Sequence, residues 1–157
     1  MTDDGNGGSV ENGVLFERVG MVADGGEVRR SNPLASPADF RKLAARLLEV
    51  VDRPFDLIIV RDLFGDRVLG YELAQLAGKP VSVSYDREGI IALQGRIAAR
   101  QNARVLIAAD THFTTQSIQA AASGAEQAGM EVVGAAILLQ TVRGEYPFPV
   151  WTLESRA

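Results

Sequence analysis

The sequence has no cysteine, one histidine, one tryptophan and no apolar run long enough to span a bilayer. Without cysteine there are no disulfides, no thiolate nucleophile and no thiolate metal ligand, and the cytoplasm is the default compartment. A single histidine, His112, cannot build the usual zinc set. Neither G-x-x-x-x-G-K-[ST] nor G-x-G-x-x-G occurs, so the two common glycine-rich nucleotide cradles are missing. The first residues, Met1 to Ser9, carry neither a basic region nor an apolar stretch. They read as a disordered tail, set at residues 1–13, and not as a secretory leader. One domain is expected over residues 14–157.

What is present fits a globular protein. Of 157 residues, 46% are apolar and 23% charged, which argues against general disorder. The formal charge of −4 disfavours nucleic acid as the main partner.

Periodicity gives alternating strands and helices. Short segments around Gly25-Gly26 suggest a small hairpin. Ser36-Pro37 opens a helix whose Phe40, Leu43, Ala44, Leu47, Leu48 and Val51 recur at three and four residues. Ser36 is placed to cap its free amides. Asp56 to Val60 and Arg104 to Ala108 are short, branched, almost wholly apolar runs, the pattern of strands covered on both faces. Arg67 to Ala77 reads as a helix with Val68, Leu69, Leu73, Leu76 and Ala77 inward, stopped by Gly78-Lys79-Pro80. Pro80 to Ser84 begins a strand, Tyr85 to Gly89 reads as a polar turn, and Ile90 to Leu93 as a further short strand. A helix from Ser117 to Ala128 has small residues at Ala120, Ala121, Gly124 and Ala128, which permit close approach to a sheet. Met130 to Leu139 gives another strand, and Phe148 to Leu153 an edge strand, because Pro147 and Pro149 bar it from the centre. The predicted fold is α/β, a three-layer, doubly wound, mostly parallel sheet.

In such sheets ligands bind beyond the carboxyl ends of the strands. Two loops qualify. Arg61 to Arg67 carries Arg61, Asp62, Gly65, Asp66 and Arg67; these are either solvated loop charges or ligand contacts. Ala109 to Ser117 enters a helix through hydroxyls, where unpaired amides attract anions. Here too a plainer reading stands beside the functional one: Thr115 or Ser117 merely caps the helix, and Asp110 ends the strand. His112 is read as a surface or packing residue.

The stretch Val105-Leu106-Ile107-Ala108-Ala109-Asp110-Thr111-His112-Phe113-Thr114-Thr115-Gln116-Ser117 resembles the diphosphoribosyl-phosphate signature of type I phosphoribosyltransferases. Asp56 to Val81, including Gly78-Lys79-Pro80-Val81, is similar to the orotate branch. The resemblance runs over residues 14 to 140 and rests on order and a few positions. It implies a homodimer, a phosphorylated sugar or nucleotide as ligand, and a pyrimidine pathway for the orotate branch. It makes Asp110, Thr111, Thr114, Thr115, Gln116 and Ser117 ribose and phosphate contacts, and Arg61, Asp62, Gly65, Arg67 and Arg87 pyrophosphate contacts. An active member of the family also uses magnesium.

The departures lie in separate parts of that machinery. One of the family's paired acids is Ala109 here. The adjacent glycines of its phosphate loop are Thr115 and Gln116, which add side chains where bare backbone wraps an anion. Asp66 stands in for the second glycine of the pyrophosphate loop. The segment matching the family's basic hood, Tyr85 to Arg96, is short, with Arg87 and Arg96 but no lysine. The expectation is a phosphoribosyltransferase-like protein without efficient catalysis, retained to bind a nucleotide, a sugar phosphate or a protein. The alternative is a divergent orotate-type transferase.

Overall fold

A computed structural model of the chain describes residues 7–87, 90–93, 101–112 and 114–157. Its core is a six-stranded sheet in the order β3-β2-β1-β4-β5-β6. The strands are β1 (Leu57–Arg61), β2 (Val81–Arg87), β3 (Ile90–Leu93), β4 (Arg104–His112), β5 (Glu131–Gln140) and β6 (Val150–Ser155). All neighbours pair in parallel except β2 and β3, which are antiparallel. The helices are α1 (Gly7–Arg18), α2 (Pro37–Val50), α3 (Phe64–Ala77) and α4 (Thr115–Gln127).

The branched runs become central strands because each can bury both faces. Ile58 and Val60 of β1, with Leu106 and Ala108 of β4, face a layer built from α1, α2 and α3, where Phe16, Phe40, Leu43, Leu47, Leu69 and Leu73 are buried. Leu57, Ile59, Val105 and Ile107 point the other way, onto Ile118, Ala121, Ala122 and Ala125 of α4. The expected three-layer, doubly wound α/β arrangement is therefore present. The small residues of α4 serve close packing as read: a Cβ on Gly124 would stand 2.6 Å from Ile91 Cγ2. The Gly25-Gly26 hairpin is also present. Both glycines have positive φ, and Val22 bridges Val28.

Several sequence expectations need correction. Residues 7–13 are not part of a tail but belong to α1, whose far end buries Leu15 and Phe16 and whose Glu11 and Asn12 are tied to Arg46 of α2. Residues 1–6 lie outside the described residues. Ser36 stands at the N-cap of α2 but makes no side-chain cap bond; its hydroxyl donates to Asp39 at 2.6 Å. Helix α3 starts at Phe64, so Phe64, Gly65 and Asp66 form its first turn instead of a loop. Leu76 lies on its exposed side. Tyr85 to Arg87 continue β2 in a ladder with β3 in place of a polar turn, because Ile91 and Ala92 supply the pairing partners. The segment 94–100 and most of the hood's tip lie outside the described residues. Strand β4 runs on through Asp110, Thr111 and His112. Strand β5 lies between β4 and β6 with most of its residues buried. Strand β6 is at the edge, as expected, but runs over Val150–Ser155 and so starts after Pro149, not at Phe148. Among the described residues, no helix is long and apolar enough to cross a membrane.

Candidate functional site

At the carboxyl end of the sheet lies a cleft of about 480 Å³. Arg61, Asp62 and Leu63 form one side, Ser84, Tyr85 and Asp86 of β2 with Ile91 of β3 another, and Thr114, Gln116, Ser117 and Ala120 a third; Arg30 reaches in from the hairpin. The position is the one that parallel-sheet topology dictates.

The β4–α4 turn presents the start of a helix. Thr114 is extended at the N-cap and makes no side-chain cap bond, and no acidic residue occupies the first turn of α4. Its first amides thus keep the partial positive charge that favours an anion. Ser117 Oγ accepts a 3.0 Å hydrogen bond from Arg61 Nη1. Thr114 and Gln116 are exposed and Ser117 is half-buried, all three on the cleft. Thr115 is turned away: its methyl stands 2.7 Å from where a Cβ on Gly144 would sit.

The β1–α3 turn is filled with its own charges. Arg61 forks onto Asp66, through Nε to Oδ2 and through Nη2 to Oδ1 at 3.1 Å. Nη2 also donates to the Thr111 carbonyl at 2.7 Å and lies 3.7 Å from Asp110 Oδ1. Asp66 is fully buried, and its Oδ1 accepts the Asp110 amide at 2.9 Å. Asp110, 2% exposed, does not face the cleft. Its Oδ2 takes the Ser31 hydroxyl at 2.6 Å and the Ser31 amide at 3.2 Å; its Oδ1 takes the Thr111 amide at 2.6 Å and the Thr111 hydroxyl at 3.1 Å. Gly65 permits this: a Cβ there would stand 2.1 Å from Asp110 Oδ2 and 2.3 Å from Ser31 Oγ.

Two buried carboxylates therefore share one guanidinium. Burial pushes Asp66 up to about 7, the nearby Asp110 adds to the rise, and the Arg61 fork opposes it. Burial also works on Asp110, but contacts with the Asp66 carboxyl, Ser31, the Thr111 amide and Arg61 outweigh it and hold the group below its ordinary value.

The remaining candidates separate. Arg67 is absent from the cleft lining; it pairs at 2.6 Å with Asp62, an exposed residue on the cleft's edge. Arg87 closes β2 opposite Ile90. His112 is fully buried, as a packing residue, with Nε2 2.8 Å from the Tyr146 hydroxyl. Burial, with the charge of Arg61, depresses its pKa. Sequence reasoning missed Ser31 and Arg30, which are far from both turns in the chain, and Tyr85, Asp86 and Ile91, which it placed in a polar turn and a short strand. No sequence pattern marks Ser31; only the folded path of the hairpin brings it to Asp110.

No family model matches the chain. Solved structures do. Adenine phosphoribosyltransferase from Thermoanaerobacter pseudethanolicus is 20% identical with a TM-score of 0.71, over 90% of this chain and 99% of that one. Orotate phosphoribosyltransferase from Aeropyrum pernix is 19% identical with a TM-score of 0.73, over 92% of each chain. The orotate enzyme of Mycobacterium tuberculosis, in complex with 5-phospho-α-D-ribosyl 1-diphosphate, is 16% identical with a TM-score of 0.66, over 95% and 96%. The fold of this chain is that of the type I phosphoribosyltransferases.

Proposed function

We propose that the cleft binds the phosphate of a nucleotide or sugar phosphate and that the chain does not transfer phosphoribosyl groups efficiently. The observation that carries this reading is the pairing of Arg61 with Asp66 and Asp110 inside the protein. A diphosphate needs surplus positive charge and bare backbone. Here the arginine at the end of β1 is already matched by carboxylates, and the acid that the resemblance assigns to ribose is turned inward onto Ser31 and Thr111. The β4–α4 turn still offers helix amides, the Ser117 hydroxyl and a nearby guanidinium, enough for one phosphate group. The structural neighbour from Mycobacterium tuberculosis holds an activated sugar phosphate; a ligand of that class lacking the diphosphate suits this site.

Titration calorimetry with nucleoside monophosphates, ribose 5-phosphate and diphosphoribosyl phosphate plus magnesium tests the proposal. Binding of a monophosphate, with no pyrophosphate released on adding orotate or adenine, is the expected result. Pyrophosphate release with one of these bases, lost in Asp110→Asn, would instead establish the divergent transferase, with magnesium as its cofactor. The homodimer is likewise proposed on the resemblance alone, and light scattering on the purified chain checks it.

A further inference from the structure

The charge count of the buried cluster leads beyond the identity of the ligand. Asp66, from α3, is faced by Arg61 from β1 and by Asp110 from β4, with Ser31 and Ser117 completing the shell through those two groups. Arg61 is the cation at hydrogen-bond distance from Asp66, while Asp62 and Arg67, its neighbours in sequence, pair with each other at the surface. His112 and Tyr146 lie near enough to feel the charge of Arg61. An anion entering at Ser117 meets Nη1 of the same guanidinium that neutralises Asp66.

We infer that Asp66 couples anion binding at this cleft to the uptake of one proton, so that the site holds its anion tightly only when Asp66 is neutral. The inference rests on the anion site proposed above. A bound dianion draws on the charge of Arg61, and Asp66, fully buried, cannot remain ionised without it. The proton comes from solvent and goes to the Asp66 carboxyl; Asp110 keeps its charge through Ser31 and Thr111. Asp66 thus acts as an internal competitor for Arg61, and it determines which anions the site accepts. A carboxylate in that place works against diphosphates most, since they bring the most negative charge to the same guanidinium.

Inorganic sulfate is the suitable probe, because its charge does not change across the relevant pH range. Calorimetry on the whole chain should show sulfate affinity falling about tenfold per pH unit above neutrality, the slope of one coupled proton. In alkaline buffers of different ionisation enthalpy, the heats should report close to one proton taken up per sulfate. Asp66→Asn should remove both effects and raise alkaline affinity for sulfate, and for inorganic pyrophosphate, at least tenfold. Carbon-detected NMR titration of the Asp66 carboxyl needs no ligand and remains decisive if that variant does not fold. A carboxyl titrating in the ordinary aspartate range overturns the inference, as does sulfate binding that is independent of pH and buffer; either result leaves the anion site standing. If Asp66 titrates high and no sulfate binds to wild type or variant, the anion site itself is wrong and the coupling falls with it.

Discussion

The turns after β1 and after β4 leave the same edge of the sheet and are built in opposite ways. The first folds its charges back into the protein, with Arg61 on Asp66 and the first turn of α3 pressed against Asp110. The second leaves helix amides and hydroxyls facing the cleft, with no acid among them. A phosphoribosyl-transfer site needs both turns open to phosphate. Here one closed turn lies beside one open turn, and the boundary between them is the guanidinium of Arg61, which touches Asp66 on one side and Ser117 on the other.

The strongest way to break this contrast is to remove the boundary. Arg61→Met keeps an unbranched apolar stem but leaves Asp66 and Asp110 buried without their cation. Breaking a buried pair in this way costs about 3–5 kcal/mol. Urea unfolding at alkaline pH should show a loss of that size, and a smaller one in mild acid, where Asp66 is neutral. A loss below about 1 kcal/mol at alkaline pH would mean that the carboxylates do not depend on Arg61.

Gly65→Ala attacks the closed turn from its backbone. The new methyl would meet Asp110 Oδ2 and Ser31 Oγ, and neither can yield without breaking the bond between them. Overpacking with a lost buried hydrogen bond is worth about 3 kcal/mol. Gly8→Ala, with nothing within 4 Å of its added methyl, is the control and should be neutral. Equal melting temperatures for the two variants would mean that the turn is looser than its contacts imply.

These positions also mark how far the sequence was legible. The central strands could be read because Leu57 to Val60 and Val105 to Ala108 are apolar on both faces, a pattern that little else explains. The continuation of β4 could not, because Asp110, Thr111 and His112 look like loop residues. They are buried only because Ser31 and Tyr146, remote in the chain, satisfy them. The start of α3 was hidden for a similar reason: Gly65-Asp66 reads as a turn until Asp110 and Arg61 are seen against it. Helix α1 was hidden by its glycines and polar residues, since its anchorage lies at one end and in Arg46. The Arg61, Asp110 and Ser117 triad was named from the sequence, but as three ligand contacts. That Arg61 meets both of the others is a fact of three dimensions.

The pH dependence of stability sharpens the contrast between the two carboxylates. Asp66 is raised to about 7, so the folded state holds its proton where the unfolded chain has lost it. Its contribution is fully present below the ordinary aspartate value and declines as pH rises through about 7. A shift of this size corresponds to on the order of 4 kcal/mol. Asp110, held below its ordinary value, contributes in the opposite sense: its stabilisation is present above the unfolded pKa and lost as pH falls through the folded one. The stability of the wild type relative to Asp66→Asn should therefore decline with rising pH up to neutrality, by on the order of 4 kcal/mol. A flat difference would show that the Arg61 fork keeps Asp66 ionised throughout.

The smallest effect falls on the open turn and separates binding from folding. Ser117→Ala removes one hydrogen bond from Arg61, which retains its fork on Asp66 and its bond to the Thr111 carbonyl. Stability should fall by less than about 1 kcal/mol. Sulfate affinity should fall about fivefold, the worth of one hydrogen-bonding group at the site. Thr115→Ala, two residues earlier and directed at Gly144 instead of the cleft, should leave sulfate affinity unchanged. If neither the Ser117 nor the Thr115 variant weakened sulfate, the anion would sit over the axis of α4 on its backbone amides alone. The open turn would then owe its selectivity to the helix and none of it to Arg61.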